Sequence, residues 1–406
     1  MFADYDIFIS GAGMVGTSLA LALAPTGLKI GIIDIATLKH KEQSTFDVRG
    51  ITLSLSSKRI FENLGLWQRL QQDAYPIKHI HISEQGRFGV TRLHADEANV
   101  EHLGYVVVAS ALGKVIRSEL ANYNNIEFIC PAELRRFQNI PTGMQIIWDQ
   151  EGEERTATTG LLIGADGTNS TVRRLAGINT KRHDFKQTAF VSSVTTEKAN
   201  NATAYERFTT HGPVALLPIG ENRSVLVYVV NTDESYLYQS MDDETFIQHV
   251  QAEAGRRLGS IINISERRSY PISYQAAEMH YQNHLLLLGN AAHTLHPNAA
   301  QGFNLGLRDA AGFVDAVNHG LASGLSINNI QILENYFQSR EADQNRITHF
   351  TNGLAKCFYN RLPILDMGKS LAMLMLDVIP PIKKPFMHNA MGLMGRQPEL
   401  VRRISL

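Results

Sequence analysis

The stretch Asp6–Asp34, DIFISGAGMVGTSLALALAPTGLKIGIID, decides the fold of this 406-residue chain. Residues 6–10 are an apolar run that reads as a short strand, and Gly11-Ala12-Gly13-Met14-Val15-Gly16 follows at once. A helical segment rich in Ala and Leu runs from Ser18 to Ala24, Gly27 turns the chain, and Lys29–Ile33 gives a second strand ending at Asp34. Each part of this βαβ unit has a physical task. Gly11 permits the tight turn, Gly13 lets a pyrophosphate reach the backbone, and Gly16 lets helix and strand pack closely. Asp34, 18 residues past the third glycine, is placed to accept hydrogen bonds from an adenosine ribose. A lone GxGxxG is weak; with both strands, the helix and the terminal acid it points to an ADP-containing dinucleotide.

Beyond Asp34 the chain does not continue as a tidy series of βα units. Phe46–Leu53 (FDVRGITL) leads into a helix around Ser56–Asn63. Arg49, just before that helix, suits either a phosphate or flavin edge or a surface ion pair. Ile77–Ser83 (IKHIHIS) alternates as a half-buried strand should, and Tyr105–Ala109 is an apolar strand before a helix from Ser110 to Tyr123. In Gly160–Arg174 (GLLIGADGTNSTVRR), Leu161–Ile163 is a buried strand and Asp166-Gly167 occupies the turn before a helix starting near Ser170. A carboxylate there would accept bonds from a sugar or ribityl chain, with Arg173 bracing the loop; a purely structural strand-turn-helix reads the same way. From Phe185 to Val230 the pattern becomes alternating and β-branched (Phe190–Thr196, Val214–Leu217, Ser224–Val230), with a helix near Asp243–Leu258. This is a second, mostly antiparallel domain inserted between parts of the first.

Dinucleotide-type sequence resumes in Leu285–Val314, LLLLGNAAHTLHPNAAQGFNLGLRDAAGFV. Four leucines form a buried strand, Gly289-Asn290 opens a turn, Pro297 ends extended structure, and Leu307, Ala310, Ala311 and Val314 recur at helical spacing. Ala299, Ala300, Gly302 and Gly306 at the helix start are small, so a flat molecule could lie on the backbone where unpaired N–H groups carry partial positive charge. Tight strand-to-helix packing accounts for the same residues.

Hydrophobic content of 44% and charge content of 19% are those of an ordinary globular protein, and a net charge of -1 gives no field for nucleic acid. Cys130 and Cys357 form no CxxC or metal spacing, which suits a reducing compartment. His293 and His296 lack the carboxylate and geometry of a metal pair, so no metal is expected. No Ser-His-Asp constellation is evident, and Trp67 and Trp148 cannot supply the W-x-W-x-I-P motif of flavin halogenases. The acidic N-terminus passes straight into a strand, unlike a signal peptide. Residues 351–406 hold eight Lys/Arg against three Asp/Glu, and six of the eleven methionines. With Leu371–Leu376 near Lys369, Lys383 and Lys384, this tail suits an amphipathic contact with anionic lipid, or equally a helical cover with methionine as filler.

GAGMVG, GADGTNSTVRR and GNAAHTLHPNAAQGFNLGLRDA, in that order, resemble the FAD-dependent aromatic hydroxylases of the p-hydroxybenzoate hydroxylase type. Tyr205–Pro218 (YERFTTHGPVALLP), FDVRGITL and HPNAAQGFNLG are most similar to the ubiquinone-biosynthesis branch, over roughly residues 5–350. The resemblance implies an α/β (α+β) fold: a Rossmann-like FAD-binding domain of residues 1–75, 105–180 and 280–350, an interleaved mostly antiparallel β-sheet substrate domain of 76–104 and 181–279, and a helical C-terminal region, 351–406. It implies that Gly11, Gly13, Gly16 and Asp34 hold the ADP half of FAD, and that Arg49, Asp166, Gly289, Asn290 and Pro297 flank its flavin side. Gly302, Phe303 and Asn304 would set backbone N–H groups against the isoalloxazine pyrimidine edge. The family usually has Gly-Asp where this chain has Gly289-Asn290; asparagine still bonds a ribityl hydroxyl without the charge. The implied chemistry is oxidation of NAD(P)H, flavin C4a-hydroperoxide formation with O2, and hydroxylation of a lipophilic phenol, 2-polyprenyl-6-methoxyphenol to the 1,4-benzoquinol. No second GxGxxG is present, so NAD(P)H would bind transiently. Other ubiquinone-biosynthesis proteins are implied as partners, and the location is cytoplasmic or peripheral on the inner face of the cytoplasmic membrane. An FAD-dependent dehydrogenase or reductase on the same scaffold, and a non-catalytic flavoprotein scaffold, are the alternatives.

Overall fold

Apolar strands without polar interruption need cover on both faces, and here they stack into the parallel centre of a sheet. The computed structural model describes residues 3–36, 50–297, 300–359 and 363–402. Arg49, the rest of Phe46–Arg49 and Ala299 therefore lie outside the described residues.

Strands Leu285–Leu287, Glu153–Gly164, Tyr5–Ser10, Ile30–Ile33 and Ile126–Ile129 run side by side, all parallel, in that spatial order. Leu285, Leu286 and Leu287 are at most 1% exposed, and Leu162, Ile163 and Gly164 stand opposite them in register. Full burial of each such side chain contributes about 1.5–3 kcal/mol, which is why this run is covered on both faces. A hairpin, Glu133–Ile140 with Gly143–Gln150, extends the sheet along Glu153–Gly164. Nothing in the motif reading anticipated it, because its exposed outer residues hide the strand alternation.

A second sheet of nine strands is mostly antiparallel; its centre is the pairing of Thr180–Thr196 with Arg223–Asn231 and Arg268–Ala277. At its far side Thr203–Phe208 pairs in parallel with His79–Glu84, the exception that decides the site below. Strands Gly50–Ser54, Gly104–Val108 and Ala74–Ile77 form a third, small sheet between the two. The segment read as one strand, Ile77–Ser83, is thus divided: Ala74–Ile77 belongs to the small sheet and His79–Glu84 to the large one.

The expected boundary at residue 350 falls inside one continuous helix, Ile330–Tyr359. Helices Pro363–Val378 and Pro380–Ala390 then fold back over the interface of the sheets. Thr91 Oγ1 donates to the Met373 carbonyl at 2.9 Å, Arg92 pairs with Asp377 at 2.6 Å, and Lys383 with Glu97 at 2.6 Å. Ser370 backbone lies so close to Gly89 that a Cβ there would sit 2.7 Å away. Met373, Met387 and Met391 are buried beneath these helices, so the methionine filler reading describes their inner face.

Candidate functional site

Three loops at the carboxyl ends of the parallel strands meet, and glycine is required where they touch. Gly11 has φ +107° and its Cβ would lie 2.5 Å from the Ala165 carbonyl oxygen, so only glycine fits this turn. At Gly16 a Cβ would be 2.0 Å from the Gly11 carbonyl oxygen. Gly13 is different: a Cβ there meets nothing within 4 Å, and the residue borders an open cleft of about 340 Å³. Its backbone caps helix Met14–Leu23, whose first N–H groups have no partners within the helix. Asp34 sits at the rim of that cleft. One of its oxygens accepts from Ala12 N–H at 2.8 Å and the other from Ala36 N–H at 2.9 Å, which fixes the carboxylate beside the glycine turn.

Asp166 lines the same cleft. Its Oδ2 accepts from Val172 N–H at 3.1 Å, holding the start of helix Thr171–Leu175, while buried Oδ1 has no hydrogen-bond partner among the described residues. An unpartnered carboxylate oxygen at the cleft is an acceptor available to a ligand hydroxyl. Arg173 donates to the carbonyls of Ala291 at 2.8 Å and Thr168 at 2.7 Å, tying the Asp166 loop to the Gly289 turn. Burial lowers its pKa, and Asp166 partly restores it.

Not every small residue near position 300 faces a ligand. A Cβ on Gly306 would lie 3.2 Å from Gly289 Cα and 3.2 Å from Val15, so Gly306 is small to let helix Gln301–Ala322 pack on the Gly289 turn. Gly289 itself has φ +57° and faces Val15. Gly302, by contrast, has open space where a side chain would be. With Pro297, Ala300 and Phe303 it lines a chamber of about 300 Å³. Asn290 is exposed beside the turn, and its carbonyl accepts from Thr294 Oγ1 at 3.2 Å.

The Asn304 side chain is a clamp. Its Oδ1 accepts from Ser54 N–H at 2.8 Å and Ser57 Oγ at 2.7 Å, and its Nδ2 donates to the Thr52 and Ala300 carbonyls at 2.8 Å each. It leaves only its backbone N–H to the helix start. Beneath lies a buried charge network: Asp309, 0% exposed, accepts from Arg340 at 2.9 Å, His293 Nε2 at 2.8 Å and Gln344 at 3.0 Å. Burial pushes this carboxyl up, but Arg340 and His293 outweigh it and hold its pKa at about 2. His293, one of the two candidate metal histidines, is thus committed to Asp309.

Behind the Gly302 chamber lies another, of about 270 Å³, roofed by the C-terminal helices. The two share Thr52, Ile77, Ile80 and Glu206 as common wall. The inner one is almost wholly apolar, lined by residues such as Leu93, Phe386 and Met387, with Phe208 stacked on Phe358 at 3.6 Å between ring centroids. Thr52 Oγ1 and Gln301 Oε1 are buried at these walls without partners. Glu206, which the sequence reading did not single out, places a carboxylate in this wall.

The family described as FAD binding domain matches residues 4–351. A ubiquinone hydroxylase, UbiL, of Rhodospirillum rubrum is 30% identical over 97% of this chain and 91% of its own. The 3-demethoxyubiquinol 3-hydroxylase of Escherichia coli is 28% identical over 96% of this chain and 98% of its own. Among solved structures, p-nitrophenol 4-monooxygenase PnpA from Pseudomonas putida DLL-E4 superposes with a TM-score of 0.81 at 13% identity, covering 98% of this chain and 100% of that one.

Proposed function

This chain belongs to the FAD binding domain family, and from that premise we propose that it hydroxylates the ring of a polyprenylated phenol, 2-polyprenyl-6-methoxyphenol to the 1,4-benzoquinol. It is an FAD-dependent aromatic hydroxylase of ubiquinone biosynthesis; the proposal concerns its substrate and how its residues act. The observation that carries the proposal is the pair of adjoining chambers, one against the start of helix Gln301–Ala322 and one apolar under the C-terminal helices. Such a layout suits a ring held at the flavin and a hydrocarbon tail buried behind it.

The residues fit FAD. Gly13 is open toward the cleft, Asp34 and Asp166 offer carboxylate oxygens there, and Asp166 Oδ1 has no partner among the described residues. When bound, FAD would accept a hydride from NAD(P)H and activate O2 for transfer of one oxygen atom to the ring. The protein's part is to hold and shield. The Gly13 turn and helix Met14–Leu23 would receive the pyrophosphate. Backbone N–H groups at the start of helix Gln301–Ala322 would stabilise negative charge at the ring edge beside Gly302. Phe208, Phe358, Phe386 and Met387 would surround the substrate's tail behind the ring and keep water out.

We also propose that the C-terminal helices rest on a bilayer surface from which the substrate enters. Leu371, Leu374, Met375, Val378 and Ile382 are 41–66% exposed on helices whose inner faces roof the apolar chamber, and the tail is basic. Among the described residues no helix is long and apolar enough to cross a membrane. The test of substrate uses purified holoprotein, NAD(P)H and 2-geranyl-6-methoxyphenol under 18O2. The expected result is a hydroxylated product carrying one labelled oxygen per NAD(P)H oxidised. An unlabelled oxidised product formed without O2 would mean a dehydrogenase, and FAD spectra without substrate-stimulated oxidation a scaffold.

A further inference from the structure

Strand Thr203–Phe208 pairs Glu206 with Ala215 on one side and with Ile82, in parallel, on the other. Alternation along the strand puts Ala204, Glu206 and Phe208 on one face. That face is turned to the two chambers rather than to water. The side chains around it are apolar: Ile77, Ile80, Ile82, Leu217 and Phe208. Among the described residues the half-buried Glu206 carboxylate has no hydrogen-bond or ion-pair partner. A lone carboxylate among apolar walls is unfavourable, and a strand position of this kind takes valine or threonine readily. Its place in the wall common to both chambers is where a phenol ring, its tail in the inner chamber, would present its hydroxyl.

We propose that Glu206 is the catalytic base that binds the substrate's phenolic hydroxyl and takes its proton as the ring is oxygenated. The inference rests on the phenol hydroxylase reading above. Overall a ring C–H becomes C–OH; O2 supplies that oxygen and one water, NAD(P)H supplies two electrons, and one proton is taken up. As the new carbon–oxygen bond forms, the phenolic O–H bond breaks and its proton rests on Glu206, so the oxygen lone pair feeds electrons to the attacked carbon. The displaced ring C–H proton then leaves to solvent, and Glu206 returns its proton to the phenolic oxygen, restoring the aromatic ring.

Burial pushes the Glu206 carboxyl up to about 7, which brings it closer to a phenol and makes it a stronger base than an ordinary glutamate. The other titratable groups at the chambers are Lys369 and Cys357 of the C-terminal helices and Tyr205, whose ring lies against His81, 5.6 Å between centroids. Glu206 and Tyr205 also border, with His81, Arg207 and Arg257, a small polar pocket beside the strand. Because the ionised form is the active one, turnover rises with pH through about 7 and falls in acid.

The experiment compares parent holoprotein with Glu206→Gln, using 2-geranyl-6-methoxyphenol and its O-methyl ether as probes from pH 5.5 to 9. The expected result for Glu206→Gln is a fall of about 100-fold or more in kcat on the phenol, loss of the acidic limb, and unchanged FAD content. The ether, having no phenolic proton, is turned over slowly and equally by both proteins. Stability of Glu206→Gln should equal or exceed the parent's, since a buried charge is removed. A variant that keeps the parent kcat or the acidic limb overturns the assignment, as does an equal loss on phenol and ether. An activity that falls above pH 7 overturns it in favour of a protonated donor. If the parent itself does not hydroxylate the phenol, the substrate reading fails and this inference with it; if the parent does and Glu206→Gln matches it, only the role of Glu206 is lost.

Discussion

Gly13→Ala and Gly16→Ala add one methyl group each, three residues apart, and the structure assigns them opposite effects. At Gly13 the backbone is ordinary, φ -71°, and the new Cβ enters open space at the cleft. Apoprotein stability should stay within about 0.5 kcal/mol of the parent. The methyl stands where a phosphate would approach the backbone, so at least one charge-assisted hydrogen bond of about 1.5–3 kcal/mol is lost. FAD affinity should therefore fall by roughly 10- to 150-fold. At Gly16 the Cβ would lie 2.0 Å from the Gly11 carbonyl oxygen, and Gly11 cannot retreat because Ala165 and Asp166 backbone already press on it. Overpacking of that kind costs about 1–3 kcal/mol, so Gly16→Ala should unfold at lower urea before any cofactor is added. Urea denaturation of the apoproteins and titration of each with FAD, followed by flavin fluorescence, separate the two. A Gly13→Ala apoprotein destabilised by 2 kcal/mol, or one that binds FAD like the parent, would refute the reading of Gly13. Parent-like stability in Gly16→Ala would refute the packing account.

Asp309→Asn breaks a fully buried pair with Arg340 and should lower stability at pH 7 by about 3–5 kcal/mol in urea titrations. The Asp309 carboxyl is held at about 2 against an ordinary 3.8, so its contribution is complete above 3.8 and lost as pH falls through about 2. The gap between parent and variant should close over that window; a gap persisting below it would contradict the assignment. Asn304→Ala leaves the Ser54 N–H and Thr52 carbonyl without their partner and should cost about 2–4 kcal/mol with FAD content reduced, measured by unfolding and absorbance. Leu374→Glu with Val378→Glu alters only exposed positions, so activity on a short-chain phenol should persist while flotation with anionic vesicles is lost; undiminished flotation would remove the bilayer proposal.

The two classes of site residue differ in how they were read. Gly11, Gly16 and Asp34 were legible because a tight turn, a close backbone approach and an acid at a strand end are local demands that leave a local spacing. The FAD cofactor and the aromatic-hydroxylase class are what the resemblance carried by three motifs in one order implies, and the matched family and the ubiquinone hydroxylase relatives bear them out. Gly306 suits a ligand surface or tight packing in the sequence, and in the structure it is small for Gly289 and Val15; Asn304, given only a backbone N–H by the resemblance, also clamps residues 52 to 57 with its side chain. Val15 and residues 52 to 57 are far away in sequence, and no spacing encodes them.

By itself, then, the sequence determined the βαβ unit, the need for a dinucleotide and the order of the loops around it, since these depend on backbone requirements repeated at fixed intervals. Glu206 shows what it could not determine. In YERF a carboxylate between Tyr205 and Arg207 carries no mark of an apolar surrounding. Only the parallel pairing of Thr203–Phe208 with His79–Glu84, and the return of the C-terminal helices over that face, turn it toward an apolar chamber. Burial is a property of what covers a residue, and here the cover comes from segments more than a hundred residues away on either side.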